Sequence, residues 1–89
     1  MPVISMFYVI IVLMYYFDNR GHQRPHIHVQ YSDEEAVISL PDGEVIEGSL
    51  RRAKLKLVQA WVELHRDELM ADWTLAVNGQ PVFKIDPLK

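Results

Sequence analysis

The 89-residue chain contains no cysteine, which excludes disulfides, thiolate zinc sites and a cysteine nucleophile. Small secreted domains usually lean on disulfides, so the absence favours a cytoplasmic protein. A broad positive field is missing too. Nine Lys and Arg against twelve Asp and Glu give a net charge of −3, which argues against non-specific DNA binding while leaving a local basic patch open. No charged side chain occurs from Met1 to Phe17. That stretch is nevertheless shorter than the roughly 20 residues of a transmembrane helix. It also lacks the basic start and small-residue cleavage site of a signal peptide. Its β-branched and aromatic residues suit a strand, so no membrane segment is expected. The length allows a single domain, residues 1–89, with a core that is marginal by itself.

Residues 6–17 read as one long strand with apolar residues on both faces. Such a strand must be central and covered twice, and a domain this small has little material for two cover layers. A subunit interface built on Met6–Phe17, most simply a twofold homodimer, is therefore expected. A polar connection from Asp18 to Pro25 precedes His26–Tyr31, where Ile27, Val29 and Tyr31 alternate with His26, His28 and Gln30. A turn at Ser32-Asp33-Glu34 and a strand through Ala36, Ile38 and Leu40 follow. The Pro41-Asp42-Gly43 turn then returns the chain through Glu44–Glu47, making an antiparallel meander. Ser49 is a candidate N-cap for a helix striped by Leu50, Ala53, Leu57, Val58, Trp61, Val62 and Leu64. One helix from Leu50 to Val77 would span about 42 Å, too long for this mass. A break near His65-Arg66-Asp67, with Asp67 capping a second helix, is expected, and Val82–Ile85 reads as a short final strand. Trp61 and Trp73 belong to the core, and His65 is a helix-end residue. The fold class is α+β: a small, mostly antiparallel sheet packed against one or two C-terminal helices.

Two clusters carry chemistry. His22, His26 and His28 fall within seven residues, and a strand sends His26 and His28 out of one face. Three converging imidazoles resemble the protein half of a catalytic zinc site, with Asp18, Asp33, Glu34 or Glu35 available to complete or orient it. The spacing matches no strong zinc motif. A packed or solvated histidine face and metal-free acid–base chemistry on RNA are the competing readings. Arg51, Arg52, Lys54 and Lys56 crowd the start of the first helix. Cations there oppose the helix dipole at about 0.3–1 kcal/mol each when exposed. An acidic partner or nucleic-acid phosphate would explain them, with Arg20 and Arg24 joining. The plain alternative is a solvated face balanced by Glu44 and Glu47.

Several blocks of sequence occur in a known order. They are Ile4-Ser5-x-Phe7-Tyr8, Met14-Tyr15-Tyr16-Phe17, His22-x-x-Pro25-His26-Ile27-His28-Val29-x-Tyr31, Glu35-Ala36-Val37-Ile38, Asp42-Gly43-Glu44-Val45, Glu47-Gly48-Ser49-Leu50 and Trp61 to Leu69. Across nearly its whole length the chain resembles the small prokaryotic family called domain of unknown function 4160. The family has no established activity. The resemblance implies a neighbouring gene from a second small family, numbered 2442, and hence a two-gene module of toxin–antitoxin type. Members commonly carry Pro-Pro where this chain has Arg24-Pro25, often glycine at the position of Val9, and frequently arginine near Leu13.

The leading expectation is a protein-binding component of such a module, as a homodimer or in complex with the neighbouring gene's product, with nucleic-acid contact through Arg51, Arg52, Lys54 and Lys56. The alternative is a metal-dependent hydrolase or nuclease holding a divalent ion such as zinc on His22, His26 and His28. A third class is an interaction domain in which the histidine face is incidental.

Overall fold

The computed structural model describes residues 3–15, 24–40 and 42–88. Five strands, β1 (Val3–Phe7), β2 (Ile10–Leu13), β3 (His26–Tyr31), β4 (Glu34–Ser39) and β5 (Val45–Ser49), are followed by two helices, α1 (Arg52–Leu64) and α2 (Arg66–Val77). The strands form one antiparallel sheet in chain order, a five-stranded meander. This is the α+β arrangement expected from the sequence.

The apolar stretch 6–17 is not one strand over its described part, residues 6–15, while Tyr16 and Phe17 lie outside the described residues. It splits into the β1–β2 hairpin, closed by the two residues between the Phe7↔Ile10 pair. Tyr8 and Val9 both take positive φ, 50° and 63°, which is what a two-residue hairpin loop of matching twist requires. No glycine or asparagine marked the turn, so the pattern looked continuous. The double-sided apolar character has a simpler origin: two neighbouring strands, the outer of which is an edge.

Ile10, Val12, Ile27, Val29, Ala36 and Ile38 join one buried cluster with Leu50, Val58, Trp61, Val62, Leu69, Trp73 and Ala76, so this face of the sheet carries the helices. Leu13 and Val37 are also buried. They face the other way, in register with His28 and Glu47.

The helix break falls at His65, as expected. His65 itself is the junction, donating its backbone N–H to Trp61 while its own carbonyl accepts from Leu69. Asp67 lies inside the first turn of α2 and is not the cap. Ser49, expected as the N-cap of α1, ends β5, and Arg51 holds the cap position. The expected final strand at Val82–Ile85 joins no ladder. Residues 80–88 return as an extended strap after a turn at Gly79 (φ 71°). The Ile85 N–H donates to the Ile4 carbonyl at the outer edge of β1 (2.8 Å). Trp61 Nε1 donates to the Asp86 carbonyl (2.8 Å) and the Phe83 N–H to Asp72 Oδ1 (3.0 Å).

Candidate functional site

Two surfaces gather the residues singled out by the sequence. The first is the histidine face. His26 opens β3, and its ring lies between His28 (ring centroids 5.3 Å apart) and Trp73 of α2 (4.9 Å). Nδ1 of His26 donates to the Arg24 carbonyl (2.9 Å), a bond that Pro25 makes easy by holding Arg24 extended. His28 meets the Tyr15 ring edge-on at 4.4 Å. It also borders a shallow groove of about 310 Å³ with Glu35, Ala36, Val37, Glu47 and Gly48. The two imidazoles are thus close together. His22, the third expected ligand, lies outside the described residues, as do Asp18 and Arg20. Among the described residues no three His, Asp or Glu side chains are placed to hold one metal ion.

The second surface joins the start of α1 to the β1–β2 hairpin. The Arg51 N–H donates to Glu34 Oε1 (2.9 Å), and Arg51 Nε approaches the same oxygen at 3.4 Å. Glu34, at the start of β4, therefore supplies the carboxylate that the helix lacks in its own first turn. The hydrogen bond from the Arg51 backbone, reinforced by the guanidinium, lowers the Glu34 pKa from the ordinary carboxylate value. This answers how the chain tolerates cations where the helix dipole disfavours them. The acid that faces the patch is Glu34, a residue remote in sequence from Glu44 and Glu47.

The Arg51 guanidinium carbon and Lys54 Nζ each lie 4.8 Å from the centre of the Tyr31 ring, within cation–π range. Lys54 Nζ also reaches the Tyr8 carbonyl in the hairpin turn, at a long 3.5 Å. Arg52 and Lys56 are exposed and stand one helical turn apart on the solvent side of α1. The four cations expected to act together therefore divide: Arg51 and Lys54 are seated on Tyr31, and Arg52 adjoins them. Lys56 stands a turn away. Tyr8, Tyr31 and Glu34 were missed as members of this surface, because only strand pairing brings residues 8, 31, 34 and 51 to one end of the sheet.

The hairpin itself is apolar and exposed: Met6 58%, Tyr8 52% and Val9 77%. Elsewhere, Asp72 on α2 is only 2% exposed. Its Oδ1 accepts the Phe83 N–H, and its Oδ2 has no hydrogen-bond partner among the described residues. Burial raises its pKa above the ordinary carboxylate value, opposed by the Phe83 bond and assisted by the charge of Glu68. At the helix junction, His65 Nδ1 donates to Glu68 Oε1 (2.6 Å) and its ring lies 5.6 Å from Trp61.

The described residues thus form a small α+β meander with a cationic helix start beside an exposed hairpin. The family model described as Domain of unknown function (DUF4160) matches residues 10–74, and the chain belongs to that family. The match runs from the start of β2 to within α2, so β1, the Tyr8–Val9 turn and the C-terminal strap lie outside it. No curated protein and no solved structure matches the chain. No helix among the described residues is long and apolar enough to cross a membrane.

Proposed function

We propose that this protein is the protein-binding component of a small two-gene module of toxin–antitoxin type, acting in the cytoplasm. The observation that carries the reading is the apolar hairpin left exposed on a chain of this size, with Met6, Tyr8 and Val9 all more than half accessible. Clustered exposure of this kind on a small domain marks an interaction surface. The resemblance supplies the partner, the product of the neighbouring gene. A second copy of the chain on the same hairpin is the competing occupant. Nucleic acid, if contacted, would meet Arg51, Arg52 and Lys54. Co-expression with the adjacent gene followed by sedimentation tests the proposal. A stable heterocomplex that Met6→Lys abolishes without unfolding the protein is expected. A monodisperse monomer that ignores the neighbouring product would overturn it.

The histidine pair favours a second reading, a divalent-metal site used for hydrolysis by His22, His26 and His28. Its support is two imidazoles 5.3 Å apart at one end of β3, one of them oriented by a carbonyl through Nδ1, as metal-bound histidines commonly are. Titration of the purified protein with zinc, read by calorimetry, should give one site that His28→Ala removes. Unchanged binding in that variant would end the metal reading.

A further inference from the structure

We infer that the Tyr8–Val9 turn is a recognition knob kept against the protein's own stability, and that it inserts into an apolar pocket with an acidic rim on a partner protein. The inference rests on the protein-binding reading above and adds to it the residues and the chemistry of the contact.

The argument begins with backbone strain. Val9 sits at φ 63°, where its β-branched side chain crowds the backbone and where glycine, asparagine or aspartate is normally found. A chain under selection for folding alone has an easy remedy at this position. Nothing among the described residues repays the valine, because the side chain is 77% exposed and outside the buried cluster. Its neighbour Tyr8 is also at positive φ, 50°, and is itself 52% exposed. Two large apolar side chains are thus held in a costly conformation and aimed at solvent. Strain concentrated in exposed residues is a mark of function more than of folding.

Charge then selects the partner. Lys54 meets the Tyr8 carbonyl and, with Arg51, lies against Tyr31, so the knob stands beside a positive flank. A protein carrying an apolar pocket rimmed by Asp or Glu complements this arrangement, with aromatic and arginine contacts of the kind that dominate interface energetics. Nucleic acid fits less well. The tip is part aliphatic, offering valine where stacking needs rings. A second copy also fits less well. Its acidic stretch at the α1–α2 junction is already paired internally, Glu63 with Arg66 and Glu68 with His65, which leaves it a poorer rim for the cations.

The test separates binding from stability. Using the full chain and the neighbouring gene's product, Val9→Gly should raise the melting temperature and weaken the complex by about tenfold, equivalent to about 1.4 kcal/mol. Lys54→Glu should weaken it comparably, and more at low salt than at high salt. Lys56→Glu, a turn away, should leave affinity unchanged. If the complex forms and Val9→Gly binds as tightly as the unmodified protein, the knob assignment is wrong while the protein-binding reading survives. If no complex forms at all, the protein-binding reading itself has failed. A single-stranded RNA probe that binds tightly and loses affinity with Lys54→Glu, while the protein partner does not, would overturn the choice of partner. Self-association of the chain alone, as a closed dimer or as open oligomers, abolished by Val9→Gly, would overturn it in favour of a second copy.

Discussion

The two edges of the sheet end in different ways. At β1 the outer edge is strapped: residues 80–88 run back across the molecule, and the Ile85 N–H meets the Ile4 carbonyl. Ile85 itself is buried in the core. At β5 no described segment lies alongside. That strand instead carries an irregularity opposite Val37 and Ile38 and a glycine at φ 75°. Exposed strand edges invite pairing with other chains, and covering an edge or distorting it are two established ways of preventing that. Here one protein uses both. The strap recruits tertiary contacts, whereas the bulge is encoded locally.

Three substitutions would break or sharpen that contrast. The largest effect belongs to Gly48→Val. A Cβ there would lie 2.3 Å from the Glu35 carbonyl oxygen, on a backbone at φ 75°. Backbone strain alone costs on the order of 1–3 kcal/mol, and the displaced β4 backbone adds to it. Loss of about 4 kcal/mol, or failure to fold, is expected in urea denaturation. A variant near unmodified stability would show that β5 tolerates a regular backbone at position 48 and that the left-handed glycine there has no structural necessity.

Next comes Ile85→Ala, which should cost about 2–4 kcal/mol by leaving a void where the strap meets the core. Hydrogen exchange should then show faster exchange at β1 than at β5. Equal acceleration at both edges would mean the strap stabilises the domain globally and does not guard β1 in particular.

The smallest effect is one of pH. Asp72 anchors the strap through Phe83, and burial raises its pKa above the ordinary value of 3.8. A carboxyl whose folded pKa is raised favours folding while protonated. Its contribution is present below the unfolded pKa and is lost as pH rises through the folded pKa. Glu34 and Asp42 act oppositely. Their pKa values are lowered, Glu34 chiefly by the Arg51 backbone bond and Asp42 chiefly by the Glu44 backbone bond. Their stabilisation is present above their unfolded values and is lost as pH falls through the folded ones. Asp72→Asn keeps an oxygen for the Phe83 N–H and should flatten the decline in stability above pH 3.8, leaving the acid limb set by Glu34 and Asp42. Thermal melts across pH would check this, and an unchanged profile would place the ionisation elsewhere.

Much of the architecture was legible from local pattern. The alternation of Ile27, Val29 and Tyr31 located β3, and Ser32-Asp33 and Asp42-Gly43 marked turns that the structure keeps. The stripe through Val58, Trp61 and Val62 located α1, and the excessive length of a single helix placed the break at His65. The β1–β2 turn was illegible for a physical reason: the residues that signal such a turn are absent, and Tyr8 and Val9 occupy it under strain. The helix start was misread because its satisfying carboxylate comes from another strand. Arg51, Lys54, His26 and His28 could be named in advance as chemically capable. That Arg51 and Lys54 rest on Tyr31 and that His26 packs on Trp73 could not.

The sequence by itself determined the α+β class, the succession from β3 to α2 and the family, because periodicity and motif spacing act through neighbours along the chain. Tertiary structure alone decided which edge of the sheet is covered, which acid meets the cationic helix start, and that the hairpin tip stands exposed beside Lys54. Those are contacts between residues 4 and 85, 34 and 51, and 8 and 54. Burial and hydrogen-bond satisfaction select such contacts only once the whole chain has packed.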